Sequence, residues 1–200
     1  MNPNKIFSIS TDPWSEEKAK ISYFYKSCFK DNKWKNPDWE HTLISEAKDN
    51  MKRLEFIFLE MTEQEAFDAY VDYFGKDKTW KAWNDITKNI NHETIQSRPK
   101  HNYPMLHAGG DEPDLLNKSY NDGVGQNIIF MTPIEGIISA FRYRFETGKM
   151  YDVVGLTRLS ALDRDGDAVS MYRYSNGEFH VDGGNRYIRF SDLGLRQIVF

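Results

Sequence analysis

The sequence predicts an α+β chain, helical in its first half and strand-rich in its second. Three observations predict it. Apolar residues recur at intervals of three and four as far as about residue 91, short apolar or alternating runs between glycine-rich breaks take over after about residue 102, and all five tryptophans (Trp14, Trp34, Trp39, Trp80, Trp83) fall in the first part. At 200 residues the chain is long enough to bury a real hydrophobic interior, as one unit or as two small layers sharing a core. The expected organisation is a helical segment over 1–92, a connector over 93–102 and a β-rich α+β region over 103–200.

Each element has a local reason. Asp12-Pro13 supplies a side-chain cap and a proline for a first helix whose apolar face is Ile21, Phe24, Tyr25 and Cys28. Asn36-Pro37 opens a second, with Trp39, Leu43, Ala47, Met51, Leu54 and Phe58 at helical spacing, predicting a helix to about Leu59. Thr62-Glu63-Gln64-Glu65 is a capping box, followed by Phe67, Tyr70, Val71 and Phe74, and stopped by Gly75. A fourth helix is expected over about Lys78 to Asn91, on Trp80, Trp83, Ile86 and Ile90.

After a polar, proline-containing connector come seven expected strands: Tyr103 to Ala108, Asn127 to Thr132, Lys149 to Leu159, Ala168 to Ser175, Glu178 to Asp182, Arg186 to Phe190 and Arg196 to Phe200. Asn176-Gly177 predicts a two-residue type I′ hairpin, in which both residues take a positive φ. One helix interrupts these strands: Thr132-Pro133-Ile134-Glu135 is a second capping box, and Ile134, Ile137, Ile138 and Phe141 form the stripe before Gly148.

Composition narrows the function classes. The net charge of −4 is spread over both halves, so neither reads as a nucleic-acid-binding face. One cysteine, Cys28, excludes an internal disulfide and a cysteine-rich metal site. With no apolar run at the N-terminus and none of 18 residues elsewhere, a cytoplasmic protein without a membrane partner is expected. The phosphate-loop, nucleophile-elbow and dinucleotide glycine motifs are absent from the sequence. The five histidines are scattered, without zinc-ligand spacing, so no metal site is expected. Asp163-Arg164-Asp165-Gly166-Asp167 places carboxylates on alternate residues but misplaces the glycine of a calcium loop, and is expected to be a solvated turn.

The stretch from Tyr103 to Val154 carries the most chemistry: a run ending His107-Ala108-Gly109-Gly110, then Ile128-Ile129-Phe130-Met131-Thr132-Pro133, then a helix containing Ala140, then Lys149-Met150-Tyr151-Asp152-Val153-Val154. It resembles the ADP-ribosyltransferase superfamily, in particular the rifampin-modifying enzymes and RNA 2′-phosphotransferases. The resemblance implies a split sheet with NAD in a cleft. His107 would bond the nicotinamide-side ribose, Gly109 would let backbone approach the ring, Thr132 would stand at the cofactor-side helix start, and Phe141 or Tyr143 would stack on the nicotinamide. It also implies a carboxylate facing the ribose, for which Glu178, Asp182 and Asp192 are the candidates. None of these acids lies in the family's Gln/Glu-x-Glu motif, and Ala108-Gly109 stands where the family has Gly-Thr.

Two functions are therefore expected in competition. One is an NAD-dependent transferase modifying a macromolecular or small target, with the helical segment helping to choose a protein target. The other is a non-catalytic inhibitor or immunity-type factor that covers a partner with aromatic helices or the acidic loop; Trp34, between two lysines, is its most testable surface residue.

Overall fold

The computed structural model describes residues 12–39, 44 and 50–200. Five helices are present among them: α1 (Ser15–Cys28), α2 (Glu63–Phe74), α3 (Ile86–Asn89), α4 (Tyr120–Gly125) and α5 (Pro133–Thr147). Ten strands accompany them: β1 (Arg53–Ile57), β2 (Thr79–Lys81), β3 (Ile90–Asn91), β4 (Tyr103–His107), β5 (Leu115–Leu116), β6 (Leu156–Asp163), β7 (Ala168–Arg173), β8 (Phe179–Gly184), β9 (Leu193–Leu195) and β10 (Ile198–Val199). The fold is α+β, with two sheets. The smaller is antiparallel, β1-β4-β10, and the larger has seven strands in the order β2-β8-β7-β6-β9-β5, with β3 paired to β6.

The capped helices form where their caps predict. Thr62 and Thr132 each accept from the backbone N–H three residues on, the carboxylates of Glu65 and Glu135 return the bond to the cap, and Gly148 closes α5 at φ 72°. α1 begins two residues after Pro13, because the Asp12 carboxylate binds the Trp14 N–H and holds a turn ahead of the helix. α5 touches β1 of the small sheet and β6 and β7 of the large one, and ten of its fifteen residues are buried, so it fills the space between the sheets. One apolar core joins Phe24 and Tyr25 of α1, Leu54 and Phe56 of β1, Tyr70 of α2, Phe141 of α5 and Phe179 of β8. The first segment therefore shares its interior with the second.

Several expected elements differ. The helix expected from Asn36 to Leu59 is overturned at its C-terminal end: residues 53–57 are strand β1, paired in register with β4 from Arg53↔His107 to Ile57↔Tyr103. Large apolar residues at 51, 54 and 58 fit a helix stripe equally well, but here the strand is buried on both faces. Residues 40–43 and 45–49 of that expected helix lie outside the described residues. The expected helix over 78–91 shrinks to the single turn α3 between β2 and β3; Asp85 caps it through the Lys88 N–H. Residues 127–132 form only a bridge, Phe130↔Gln197, and 186–190 form turns and irregular chain with Tyr187 and Phe190 exposed. The run expected from Lys149 pairs only from Leu156. In the β7–β8 hairpin Gly177 alone takes a positive φ, 89°, and its N–H bonds the Tyr174 carbonyl at 2.8 Å. That is a longer turn with a glycine bulge, not type I′. Trp34 is 5% exposed and packs on Phe58, so it is not a surface residue.

Arg142 on α5 is among the largest fully buried side chains. Its guanidinium reaches Glu146 (2.6 Å), Glu17 of α1 (2.6 Å), Glu55 of β1 (3.1 Å) and the Leu54 carbonyl. Burial alone would raise the Glu55 carboxyl, yet Arg142, Arg53 and His107 outweigh it and hold it down to about 2. Stability drawn from Glu55 is then present above its ordinary value near 4.5 and is lost as pH falls toward about 2. Replacing Glu55 by alanine leaves the buried Arg142 guanidinium and the partly buried Arg53 short of their counter-ion and is expected to cost about 3–5 kcal/mol in urea denaturation. Glu16→Ala, at an exposed position, is expected to change stability by less than about 0.5 kcal/mol. Equal effects for the two variants would show that the network contributes nothing specific.

Candidate ligand cleft

The structure gathers only some of the residues that the resemblance brings together: His107, Gly109 and Tyr143 lie around Arg53, whereas Phe141, Thr132 and the three acids lie elsewhere. His107 ends β4 and is 1% exposed, so it faces no open cleft. Its Nδ1 accepts from the Gly109 N–H at 3.2 Å, and its Nε2 lies 3.5 Å from Glu55 Oε1. Burial lowers its pKa against the pull of Glu55, which favours a neutral ring. Gly109 has a φ of 82°, but the space a ligand would use is filled: a Cβ there would meet the Arg53 side chain at 3.2 Å. Phe141 is fully buried among Phe24, Phe29, Tyr70 and Phe74, with centroids 4.9 to 5.8 Å away, and has no face to offer a ring. Tyr143 donates to Asp111 and packs on Tyr151 at 4.6 Å. Thr132 is the buried cap of α5.

The candidate acids lie elsewhere. Glu178 and Asp182 bracket His180 on β8, Glu178 bonding His180 at 3.1 Å and Asp182 accepting from the Tyr172 hydroxyl at 2.9 Å. The Asp192 carboxylate is exposed just before β9. The charged groups that bear on His107 are Glu55, Arg53 and Arg196. The 163–167 turn joins β6 to β7, with Asp163 Oδ1 accepting the N–H groups of Asp165 and Asp167 at 2.9 Å each. Among the described residues no group of three or more His, Cys, Asp or Glu could hold a metal ion, and no helix is long and apolar enough to cross a membrane.

An open cleft of about 270 Å³ lies between the β1–α2 connection, residues 92–98 and the start of α5. Ile57, Met61, Ile95 and Ile134 give it apolar walls, and the capping threonines of α2 and α5, Thr62 and Thr132, both line it. Below the Thr132 cap, Glu135 is fully buried, and its Oε1 accepts from Arg98 Nε (2.7 Å) and the Tyr103 hydroxyl (2.6 Å). Burial and the neighbouring carboxylate raise the Tyr103 phenol well above its usual range, so it stays a donor.

On the cleft wall His92 Nε2 sits 3.3 Å from Glu63 Oε1 and 3.4 Å from Oε2. The carboxylate is 6% exposed and the imidazole 49% exposed. A buried anion thus orients a ring that is open to the cleft. Sequence reasoning missed this pair, because 29 residues separate Glu63 from His92 and no motif links them. The Thr62 capping box was the one legible signal nearby. Compared with family models, curated proteins and solved structures, the chain finds no match.

The bond to Glu63 raises the His92 pKa, with burial opposing. A raised folded value means that this pair's contribution is full below about 6.5 and fades as pH rises through the folded pKa. NMR titration is expected to place His92 above an ordinary histidine, and Glu63→Gln to bring it back; identical titration in both proteins would refute the pairing.

Proposed function

We propose that the protein binds a small, largely apolar molecule in the open cleft and that His92, oriented by Glu63, exchanges a proton with it. The observation that carries this reading is a half-exposed imidazole on a buried carboxylate inside an apolar-walled hollow. A base held by a third group within reach of a bound ligand is the arrangement acid–base chemistry needs. The cleft's apolar walls favour a hydrophobic body, and its few polar groups fix orientation. Fragment screening by NMR is expected to find aromatic or branched aliphatic hits that shift the Met61 and Ile134 methyl signals. Met61→Trp, which fills the cleft, is expected to abolish those shifts, while His92→Ala weakens hits carrying an acidic proton. Hits that perturb neither methyl would overturn the reading.

A second reading, ADP-ribosyl transfer from NAD as the resemblance implies, is supported by a buried polar cluster at the end of β4. Arg53 Nη2, Tyr151 Oη and Asp152 Oδ2 are buried there without a hydrogen-bond partner, and His107 Nε2 has only its 3.5 Å contact with Glu55. Gly109 and Gly110, both at positive φ, open the loop 109–114, which Arg196 grips through the Gly110 and Asp111 carbonyls at 3.1 Å. On this reading the loop swings away before NAD reaches His107. NAD in hundredfold excess over its dissociation constant is expected to stabilise the fold by about 2.7 kcal/mol, seen as a raised melting temperature. An unchanged melting temperature together with no calorimetric heat of NAD binding would sink it.

A further inference from the structure

The outer face of the seven-stranded sheet carries a row of rings that the core does not use. Trp80 of β2 stands opposite His180 of β8, which stands opposite Tyr172 of β7. The rings of Trp80 and Tyr174 lie nearly parallel to the His180 imidazole, with centroids at 4.8 and 5.0 Å, and Tyr172 lies at 5.2 Å. On the opposite face Phe179 stacks on Tyr70 in the core. Trp80 is 44% and Tyr174 51% exposed, so the outermost rings are open to solvent.

Beside this row is a polar one. Arg158, Ser170 and Asp182 are register partners across β6, β7 and β8. Arg158 donates to Ser170 Oγ and to the carbonyls of Ala168 and Asn185, and Asp182 accepts from Tyr172. Two buried nitrogens on this face have no partner, Arg158 Nε and His180 Nδ1, in residues 5% and 7% exposed. Flat apolar surface at Trp80 and Tyr174 therefore adjoins the half-buried Asp182 carboxylate and, beneath it, two nitrogens with bonds still to make.

We propose that this face binds a neutral saccharide, one pyranose stacked on Trp80 or Tyr174 and its hydroxyls bonded to Asp182 and its neighbours. Charge and geometry make the choice. Glu178 and Asp182 would repel the phosphates of a single-stranded nucleic acid, which needs a basic groove beside its stacking rings. A quaternary ammonium needs aromatic faces turned toward one point, whereas Trp80 and Tyr174 each lie nearly parallel to the His180 ring and leave a flat row. A sugar ring presents an apolar C–H face to an aromatic ring and hydroxyls that both donate and accept at its edge, which suits exposed rings set beside a carboxylate and an imidazole with a free nitrogen.

The test follows the Trp80 indole N–H by ¹H–¹⁵N NMR while cellohexaose, chitohexaose, maltohexaose, xylohexaose or mannohexaose is added, with a thymidine dodecamer and a trimethyl-lysine peptide as controls. At least one hexasaccharide is expected to shift that signal saturably, and in titration calorimetry at least one of Trp80→Ala and Tyr174→Ala, both at exposed positions, is expected to weaken its binding by about tenfold or more with unchanged circular dichroism. The proposal fails if no hexasaccharide moves the Trp80 signal, if only the oligonucleotide or the peptide does, or if both variants bind as the parent does.

Discussion

The fold depends on the Arg142 guanidinium. All three of its nitrogens are engaged, Nε by Glu146, Nη1 by Glu55 and the Leu54 carbonyl, and Nη2 by Glu17. Those partners belong to α5, β1 and α1, so one side chain fixes three elements that apolar contacts alone would let slide. Arg53 adds a second bridge to the same acids, reaching Glu55 at 2.7 Å and Glu146 at 3.1 Å. Burying ions costs several kcal/mol each, and a set this closely paired recovers that cost without gaining much beyond it. Its effect is on geometry: α5 has one rotation and one depth at which every charge is met.

From that setting the rest of the architecture follows. With α5 fixed at its middle, its N-terminus falls against the connector, where Glu135 does three jobs with two oxygens. It completes the Thr132 cap, receives the Arg98 guanidinium and accepts from Tyr103. The cap of a helix, an irregular segment and the first residue of β4 thereby meet at one carboxylate. The open cleft is the hollow left beside that junction, between the starts of α5 and α2. At the other side of α5, Gly136 lies so close to the large sheet that a Cβ would come within 2.7 Å of Leu159 Cδ2, which sets the approach of helix to sheet.

Legibility in the sequence followed the range of the interaction. Caps are local, so Thr62-Glu65 and Thr132-Glu135 announced α2 and α5 correctly, and the strands at 103, 168 and 179 followed from runs between breaks. β1 was misread because Leu54, Glu55, Phe56 and Ile57 are all buried: a strand covered on both faces loses the alternation that would identify it, and Glu55 is buried only because Arg142 waits for it 87 residues later. The site was less legible still. Phe141 has the same sequence neighbourhood whether its ring lines a cleft or fills a core, and what decided it was Phe24, Tyr70 and Phe74 arriving from α1 and α2. His92 gave no sign of Glu63.

Hydrogen-bond completeness separates structural polar groups from those with spare capacity. A buried polar atom without a partner costs roughly 1–3 kcal/mol, so a fold that completes Arg142 down to the last nitrogen has the means to avoid such atoms. Around Arg142, Glu135 and the two capping boxes the bonds are made. The unpartnered atoms fall mainly in two places, the cluster of Arg53, Tyr151 and Asp152 beside His107, which adjoins the Glu55 end of the Arg142 network, and the outer face at Arg158 and His180. In both, the neighbouring backbone is unusual as well: Asp152 holds a φ of 53° in the cluster, and β6 breaks register between Arg158 and Leu162 on the sheet. A left-handed aspartate and a register shift thus accompany the unpartnered atoms, and it is these two places, not the fully bonded Arg142 and Glu135, that leave polar groups unused by the fold.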